Sequence, residues 1–504
     1  MINSNSKNLT ILITEIAVVF LMVMGVVPPD AGLFLTGVLV FYFIFSPLKD
    51  SLWIFVASIP LFTVFPVVEG NSMANWRILL AVLFLVMFFR QGISNRPSHY
   101  LVEYLTGLFL LLGALSLFSA TDIWIGVKKI LFLVNIFLLF LIIRNLAVRD
   151  RKIIPSLISA AEVAIGITLS IGFIQYISVI FIRLFPFWQF WARSVIPVFY
   201  GQDLSNLLSY SNTWFSYYTS LPATLRMFSI FPDSHSFAFF CIMSLPFFLV
   251  RIFIGHRNKV RTSFQYFFLI LCLLAIIFSG SRGAWVAALG SLLVALFALL
   301  IFKLNKNQKK QVFLIIGALL IFFLLFPISS RILLFYQQVQ LNRPLDVGDA
   351  SFFERARSIF DFDEISVKSR LEIWEKTIIS ISERPLLGVG VGNFPVVLEE
   401  KLSMSKKGSS AHSLYLDIFA EMGVLALLTL LAIIFYILKD TWQVFKKTED
   451  TLGEYFPIWA GFFLLALVWI FGYSLFDVVL FNDKVLLFFM VNLGLLYSYK
   501  YVRE

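Results

Sequence analysis

Cysteine and charged residues are scarce in this chain of 504 residues. It contains two cysteines, Cys241 and Cys272, and both lie within apolar runs. This placement argues against a disulfide framework and against a cysteine-based metal site. Charged residues make up 14% of the sequence and hydrophobic residues 60%. Because soluble domains carry roughly 25% charged residues, the composition excludes an ordinary soluble globular protein.

The apolar runs also lack the alternation that is typical of a transmembrane β-barrel. They are continuous, and most are near the ~20 residues that a helix needs to cross a bilayer. The sequence therefore predicts an all-α, polytopic transmembrane helical bundle of about 12–14 spans. The first run has no small-residue cleavage site, so we expect a first spanning helix and not a cleaved signal peptide. The predicted spans lie near residues 10–27, 31–47, 51–68, 76–90, 101–118, 124–143, 153–180, 235–252, 264–279, 284–302, 312–328, 412–438, 456–474 and 484–500.

Lysine and arginine are missing from the connectors at 27–30, 68–76 and 119–123. The connectors that alternate with these are rich in basic residues, and cytoplasmic loops show this enrichment. We therefore expect both termini in the cytoplasm and the long connectors 183–234 and 329–411 outside. The net charge of +10 fits these basic loops better than nucleic-acid binding. The basic residues are Lys49, Arg90, Arg96, Arg144, Arg149, Arg151, Lys152, Arg251, Arg257, Lys259, Arg261, Lys303, Lys306, Lys309, Lys310, Lys439, Lys446, Lys447, Lys500 and Arg503.

The predicted spans divide the chain into three parts. Residues 1–328 form transmembrane helices with an aromatic outer segment near 183–234, which we expect to lie at the membrane interface. Residues 329–411 form a large, helical extracytoplasmic loop, and residues 412–504 form the C-terminal transmembrane helices. Within the loop, an apolar stripe predicts an amphipathic helix that packs on the membrane domain. The stripe consists of Leu371, Trp374, Ile378 and Ile379.

Two arginines lie just outside predicted spans, on the side where basic residues are otherwise rare. Arg282 occupies a tight turn, Ser279-Gly280-Ser281-Arg282-Gly283, and Arg226 precedes Pro232-Asp233. Charged groups at membrane depth are costly and often functional. The alternatives are that Arg282 binds lipid phosphate and that Arg226 forms a structural ion pair with Asp233.

His412 is one of only four histidines and opens a predicted span after a small polar run. A neutral imidazole accepts a proton near neutral pH, so His412 is a candidate general base. The alternative for His412 is a structural role, and His235 near a helix start fits capping or packing better than catalysis. Gly388, Gly390 and Gly392 follow no strand, and no Lys-Ser/Thr comes after them, so neither a dinucleotide site nor a P-loop is predicted. A main-chain anion-binding turn remains open.

These motifs occur in an order that resembles the O-antigen ligase and O-antigen polymerase superfamily. They are Arg226 with the Phe231-Pro232-Asp233 stretch, Ser281-Arg282-Gly283, Arg370 with Trp374, Pro385-Leu386-Leu387-Gly388-Val389-Gly390, His412-Ser413 with Tyr415, and Glu421 with Gly423. The resemblance covers roughly residues 220–435. Two features depart from it: Pro232-Asp233-Ser234-His235 stands where the family often has His-Pro-Asn, and the predicted spans outnumber those usual for the ligases.

The resemblance implies a glycosyl transfer that needs no metal or cofactor, on the outer face of the cytoplasmic membrane. The donor would be a glycan on undecaprenyl diphosphate and the acceptor a hydroxyl of a lipid or glycan. Arg226, Arg282 and Arg370 would bind the diphosphate, because guanidinium groups suit phosphate oxygens. His412 would deprotonate the acceptor.

The sequence leaves several functions open. A ligase, a polymerase and a protein-directed oligosaccharyltransferase of this superfamily share the same chemistry and differ in the acceptor. A transporter is a different class, for which inverted repeats and ionisable residues at mid-membrane are typical. The sequence shows neither feature clearly, so the transferase is the better interpretation. The sugar, the acceptor and the type of cell envelope stay undetermined.

Overall fold

Helices account for nearly all of the regular structure in the computed structural model of the chain. The structure describes residues 4–68, 71–92, 101–210, 214–216, 223–255, 259–341, 365–399, 410–447 and 455–501. The remaining residues include 217–222, 342–364 and 400–409 of the predicted outer connectors. Tyr217 and Tyr218 of the aromatic segment therefore lie outside the described residues.

The helices fall into three groups along the chain. Before the first long connector lie α1 (Ser4–Val23), α2 (Ala31–Phe45), α3 (Leu48–Ala57), α4 (Trp76–Gln91), α5 (Leu101–Ser116), α6 (Ile123–Arg149) and α7 (Ile153–Phe181). The connector contains the short helices α8 (Leu184–Phe190), α9 (Ile196–Tyr200) and α10 (Gln202–Tyr210). After it lie α11 (Ser234–Ile254), α12 (Lys259–Phe278), α13 (Arg282–Ile301), α14 (Lys306–Leu341), α15 (Ile365–Glu383), α16 (Leu414–Phe445), α17 (Tyr455–Tyr473) and α18 (Asp483–Tyr501). The described residues also contain short 3₁₀ or π turns and two antiparallel strand pairs, β1 (Val64–Val68) with β2 (Asn71–Ala74) and β3 (Phe215–Ser216) with β4 (Thr224–Leu225).

The length and apolar composition of these helices confirm the predicted polytopic helical bundle. Among the described residues, nine helices are long and apolar enough to cross a membrane, and Ala31–Phe45 and Ser263–Phe278 are shorter apolar helices. The predicted span at 51–68 is wrong, because α3 ends at Ala57 and the hairpin strand β1 begins at Val64. Pro60 and Pro66 lie in this stretch, and proline cannot donate the hydrogen bond that a continuing helix needs. In the other direction, α14 runs past the predicted loop boundary at 328 to Leu341.

Two helices form the centre of the bundle. Within their most apolar 18-residue stretches, 83% of α11 and 78% of α17 is buried inside the protein. The corresponding buried shares are 22% for α5 and 28% for α13. Helix α11 packs against α12, α17 and α18. Because a helix that is apolar on every side has to be covered on every side, α11 and α17 form the core, and α5 and α13 lie at the periphery.

The aromatic connector is partly folded into the bundle. Phe187, Trp214 and Phe215 are buried, and the Trp214 ring stacks on Phe228 with centroids 4.4 Å apart. Phe185 and Phe190, by contrast, are exposed. The sequence predicted that this segment lies along the membrane interface, and these buried rings show that part of it packs against the helices instead. Burial of large rings contributes strongly to such packing.

Helix α15 is present as predicted, but it packs through a different face. Leu371, Ile378 and Ile379 of the predicted stripe are exposed. The face that packs consists of Ile373, Trp374, Thr377 and Ile381, against a small apolar cluster of Val389, Phe394, Val397, Ala411 and Ala420. The exposed face and the packed face of α15 both carry apolar residues at helical spacing. Hydrophobic periodicity alone therefore predicted the wrong packing face. The face of α15 that packs against the protein determines which of its side chains approach the candidate site.

Candidate functional site

The candidate site lies where the N-terminal ends of α11, α13 and α16 meet the C-terminal end of α17. The main-chain nitrogen of Leu414 donates to the carbonyl of Ser474 at 2.9 Å, which joins the start of α16 to the end of α17. The hydroxyl oxygens of Ser281 and Tyr473 are 2.5 Å apart, which joins α13 to α17. Helix N-termini carry partial positive charge and unpaired amides. Three of them at one place favour an anionic ligand.

Asp233 caps the N-terminus of α11. One carboxylate oxygen accepts from the Ser236 main-chain nitrogen and the other from the Ser236 hydroxyl, both at 2.7 Å. Burial raises the pKa of Asp233 above its usual value, and the nearby Asp477 charge acts in the same direction. His235 and the bonds from Ser236 oppose this shift. The cap sets the direction in which the next residues, including His235, leave the turn.

His235 is the centre of a small polar network. Its Nδ1 atom lies 2.8 Å from the Tyr473 hydroxyl and 3.2 Å from the Ser281 hydroxyl. A carboxylate oxygen of Asp477 lies 3.4 Å from the same nitrogen. These contacts connect α11, α13 and the segment after α17. His235, Tyr473 and Ser281 therefore join three chain segments at the site.

His412 stands at the entrance to α16 in a strained turn. Its φ angle is +48°, in the left-handed region that residues other than glycine rarely adopt. Two bonds hold the preceding residue: the Ala411 nitrogen donates to Asp417 at 3.1 Å, and Trp374 Nε1 donates to the Ala411 carbonyl at 2.9 Å. Strain of this kind persists only when the surrounding structure fixes it. The imidazole is half-buried, and among the described residues no side chain forms a hydrogen bond with it.

The pKa of His412 reflects burial and two opposite charges. Burial lowers the pKa of His412 below its usual value, and the Arg370 guanidinium lowers it further, whereas Asp477 raises it. Burial in turn raises the pKa of Asp477, and the His412 and Arg370 charges oppose that rise. An imidazole with a lowered pKa is neutral at neutral pH and so is able to accept a proton.

Arg370 approaches the site from α15. It precedes Trp374 by one helical turn, so both side chains lie on the face that packs on the protein. Because Trp374 bonds the carbonyl next to His412, this face brings Arg370 close to His412. The Arg370 charge acts on His412, Asp477 and His235. The structure thus brings two predicted site residues, Arg370 and His412, together.

Arg226 is held by a segment that runs through the interior. Its Nε atom donates to the Ser216 hydroxyl at 2.9 Å, and its main-chain nitrogen donates to the Trp214 carbonyl at 2.8 Å. The next residue, Met227, donates its nitrogen to the Phe278 carbonyl at the end of α12 at 2.8 Å. The Arg226 charge also acts on His235, which places it near the same network.

Gln175 of α7 fixes the segment that follows Arg226. Its side-chain oxygen accepts from the main-chain nitrogens of Phe228 and Ser229, at 3.1 and 2.9 Å. Ser229 has a positive φ of 51°, and its hydroxyl donates to the Thr168 carbonyl at 2.8 Å. Buried main-chain groups need such partners, because an unpaired one costs free energy. This anchoring keeps Arg226 and Asp233 at opposite ends of one fixed segment.

Arg282 is the first residue of α13 and is half-buried. The residue before it, Ser281, caps the helix with its hydroxyl and contacts Tyr473 and His235. The residue after it, Gly283, packs so closely on the Tyr473 ring that a Cβ atom would clash. Both neighbours of Arg282 are therefore fixed against the network, and this positions the arginine at its edge.

The glycine turn docks on a break in α16. Gly423 has a φ of 81°, which interrupts the helix and exposes carbonyls that its own turns no longer use. Val389 and Gly390 donate their nitrogens to the carbonyls of Ala420 and Glu421, each at 2.9 Å. The Gly388 nitrogen donates to the Arg384 carbonyl, and the Val391 nitrogen donates to the Ser116 hydroxyl. Four successive amides are thus paired within the protein, which argues against an anion-binding turn here.

A partly buried ion pair joins α6 to the same region of α16. Lys129 Nζ of α6 lies 2.6 Å from a carboxylate oxygen of Glu421, and the Glu421 side chain is 2% exposed. Asp417, one turn earlier on α16, also interacts with Lys129. The pair therefore links α6 to the stretch of α16 that holds both the glycine turn and the Ala411–His412 turn.

Sequence reasoning missed Asp477 and Tyr473, which the structure places against His235. One signal was available, since Asp477 is an acidic residue directly after the predicted span 456–474, on the expected outer side. Nothing local marks Tyr473 among the chain's 17 tyrosines. In the part of the chain that the structure describes, no cluster of three or more His, Cys, Asp or Glu side chains is arranged to hold a metal ion.

Residues 267–431 match the model of the O-antigen ligase family. The match covers about a third of the chain and confirms the resemblance to the O-antigen ligase superfamily. By this match the chain is similar to membrane glycosyltransferases of the ligase or polymerase type. Arg282, Arg370 and His412 lie inside the matched range, whereas Arg226, Tyr473 and Asp477 lie outside it. No curated protein matches the chain.

Proposed function

We propose that the chain transfers a glycan from undecaprenyl diphosphate to an acceptor hydroxyl, as an O-antigen ligase does. The observation that carries this proposal is a pair of hydrogen bonds: Trp374 to Ala411 brings α15, which carries Arg370, to the His412 turn, and Leu414 to Ser474 brings the start of α16 to the end of α17, close to Asp477. A base, a cation and an orienting acid are the groups that this transfer requires. The family match gives the same reaction class on independent grounds.

The arginines stabilise the leaving group in this proposal. Cleavage of the donor releases a lipid diphosphate, whose negative charge increases in the transition state. Arg226 and Arg370 both lie close enough to His235 for their charges to act on it, and Arg282 is the first residue of α13 beside the same network. Guanidinium groups bind phosphate oxygens through paired donors, and fixed cations of this kind lower the barrier most when they are already in place.

His412 is the general base of the proposed reaction. The acceptor oxygen attacks the anomeric carbon of the donor glycan, and its proton passes to a ring nitrogen of His412. The bond between the anomeric carbon and the diphosphate oxygen breaks, and its electron pair leaves with undecaprenyl diphosphate. Asp477 then stabilises the imidazolium that forms, because its charge favours the protonated ring.

The site lies, in this proposal, on the outer face of the cytoplasmic membrane, with both termini in the cytoplasm. The basic connectors support this orientation, because Arg149 at the end of α6 and Lys306 at the start of α14 belong to the opposite end of the bundle. Lipid-linked glycans with a diphosphate at the headgroup level would meet the helix ends that hold His412 and Asp477.

Purified protein in proteoliposomes tests the proposed function. Wild-type protein should move glycan from an undecaprenyl-diphosphate-linked donor to a lipid-linked acceptor. His412→Ala should lower turnover by about 10²–10⁴-fold, the usual contribution of a general base, and should still bind the donor. His256→Ala, in the basic connector after the predicted span 235–252, is the matched control.

The products separate the ligase from the polymerase. A single added glycan on a lipid acceptor identifies a ligase, and lengthening of one donor by another identifies a polymerase. Normal transfer by His412→Ala would show that the base lies elsewhere. Loss of donor binding together with transfer would assign His412 a structural or binding role.

A further inference from the structure

We propose that His235 binds the diphosphate of the lipid-linked donor as a neutral hydrogen-bond donor, through Nε2, and that Tyr473 fixes the ring in this tautomer. The inference rests on the proposed function of the site and adds two residues to it. It makes His235 a binding residue and Tyr473 a positioning residue. Their roles depend on the contacts of Nδ1 with Tyr473 and Ser281 and on the exposure of the His235 side chain.

The proposed tautomer gives the hydrogen bonds around His235 a single direction. A neutral imidazole has one donor nitrogen and one acceptor nitrogen. In the proposed tautomer the Ser281 hydroxyl donates to the Tyr473 oxygen, 2.5 Å away, and the Tyr473 hydroxyl donates to His235 Nδ1, 2.8 Å away. The Ser281 oxygen still accepts the Ala284 amide as the cap of α13. With Nδ1 as the acceptor, the ring proton of His235 is on Nε2.

Asp477 is the competitor for Nδ1. If Nδ1 carried the proton, it would donate to the Asp477 carboxylate, and Nε2 would become an acceptor. The Asp477 oxygen lies 3.4 Å from Nδ1, whereas the Tyr473 oxygen lies at 2.8 Å. Hydrogen bonds weaken at the longer distance, and 2.8 Å is close to the optimum. The Asp477 charge also acts on His412. Tyr473 is therefore the nearest partner of Nδ1, and in the proposed arrangement its hydroxyl is the donor.

The second ring nitrogen is available to a ligand. Within the described ranges, every hydrogen bond of His235 involves Nδ1, and its side chain is 23% exposed. Arg226 and Arg370 are charged groups whose fields reach the ring. An oxyanion that these arginines attract would find a neutral N–H beside them. Such a donor adds a directional bond without adding a third positive charge.

Tyr473 is held rigidly enough to set the tautomer. Its ring packs on Gly283, where a Cβ atom would clash, and it is 1% exposed. One turn earlier on α17, Trp469 Nε1 donates to the Ala284 carbonyl at 2.7 Å. These two contacts fasten α17 to the first turn of α13. The Tyr473 hydroxyl consequently has a fixed position relative to Ser281 and His235.

Binding of farnesyl diphosphate to the purified full chain tests the ligand role, with farnesol as the uncharged comparison. A glutamine amide nitrogen reaches about as far as Nε2, and an asparagine amide only as far as Nδ1. His235→Gln should therefore keep the dissociation constant within about threefold, whereas His235→Asn should weaken binding about tenfold or more, the usual effect of one hydrogen bond to a charged group. Thermal unfolding of each variant checks that the fold is retained.

The imidazole ¹⁵N spectrum tests the tautomer itself. In wild-type protein the His235 signals, identified by their loss in His235→Gln, should show a protonated Nε2 and an unprotonated Nδ1. Tyr473→Phe removes the donor to Nδ1, so the signals should move towards the other tautomer and farnesyl diphosphate should bind several-fold more weakly. Tyr436→Phe, near the opposite end of α16, is the matched control and should change neither property.

The outcomes separate this inference from the proposed function. If wild-type protein binds farnesyl diphosphate no better than farnesol, both proposals fail. If it binds the diphosphate well and the Gln and Asn variants bind equally, the role of His235 is wrong while the proposed function stands. A spectrum with the proton on Nδ1 in wild-type protein would also overturn the inference, since Nε2 would then be an acceptor.

Discussion

Trp374 and Ala411 are separated by 37 residues, yet the indole nitrogen of Trp374 donates to the Ala411 carbonyl at 2.9 Å. This bond links helix α15, which carries Arg370, to the turn that carries His412. It explains how two distant motifs, Arg370 with Trp374 and His412 with Ser413, contribute to one site. The geometry of the proposed base therefore depends on a hydrogen bond from a neighbouring helix.

Trp374→Phe should lower kcat about tenfold while the protein stays folded. The phenyl ring keeps most of the packing but cannot donate to Ala411, and a buried carbonyl without a partner costs about 1–3 kcal/mol. The strained His412 turn should then relax away from its position. Turnover in proteoliposomes measures the effect, and Trp124→Phe, whose ring is 74% exposed, is the control. Equal turnover in the two variants would argue against the positioning role.

The pH dependence of kcat/KM should move in opposite directions in two variants. Burial and Arg370 lower the pKa of His412, so the wild-type activity should fall only below the usual pKa of imidazole, as the base becomes protonated. Arg370→Gln removes a positive charge that lowers the pKa of His412, so the acidic limb of the pH profile should move to higher pH. Asp477→Asn removes a negative charge that raises the pKa of His412, so the acidic limb should move to lower pH. Shifts in the same direction would contradict the assignment of His412 as the base.

Arg226→Ala and Arg282→Ala should each abolish transfer and leave the protein in the membrane. Lysine at either position should restore only part of the activity, because it keeps the charge but loses the paired donors of the guanidinium. Arg384→Ala, at the exposed end of α15, should behave like the wild type. Donor binding and transfer are measured side by side. Full activity in either alanine variant would remove that arginine from the diphosphate site.

Lys129→Met should destabilise the protein more than the double variant Lys129→Met with Glu421→Gln. Removing one partner of a buried ion pair leaves an uncompensated charge and typically costs about 3–5 kcal/mol. The Glu421 side chain is 2% exposed, so solvent cannot replace Lys129. Unfolding temperature in detergent measures both variants. A single variant as stable as the wild type would show that the pair does not stabilise the contact between α6 and α16.

Cysteine labelling should confirm the proposed orientation. The native Cys241 and Cys272 are buried, so a membrane-impermeant maleimide should react little with wild-type cells. Lys376→Cys, exposed on α15, should be labelled from outside, and Asn307→Cys, exposed at the start of α14, should not. Labelling of Asn307→Cys from outside would reverse the orientation and move the site to the cytoplasmic face.

The tertiary structure corrected two predictions for which the local sequence supported two alternatives equally well. In α15, apolar residues occur on two faces, and the packed face was the one that contains Ile373 and Trp374. At residues 51–68 the apolar composition suggested a span, but two prolines and a hairpin end the helix at Ala57. In both cases the decision came from packing partners that are distant in the sequence, which hydrophobic periodicity does not contain.

The sequence by itself determined that the chain is a polytopic helical bundle, because long apolar runs have few other stable structures in a bilayer. It also identified Arg226, Arg282 and His412 as candidates, because charged and titratable groups beside predicted spans are costly to keep there, and the family resemblance added Arg370. Only the tertiary structure brought Asp477 and Tyr473 to His235 and joined Trp374 to the His412 turn. These contacts join helix ends that are far apart along the chain, and their formation depends on how α11, α13, α16 and α17 pack. Local sequence specifies the helices, but the packing of their ends specifies the site.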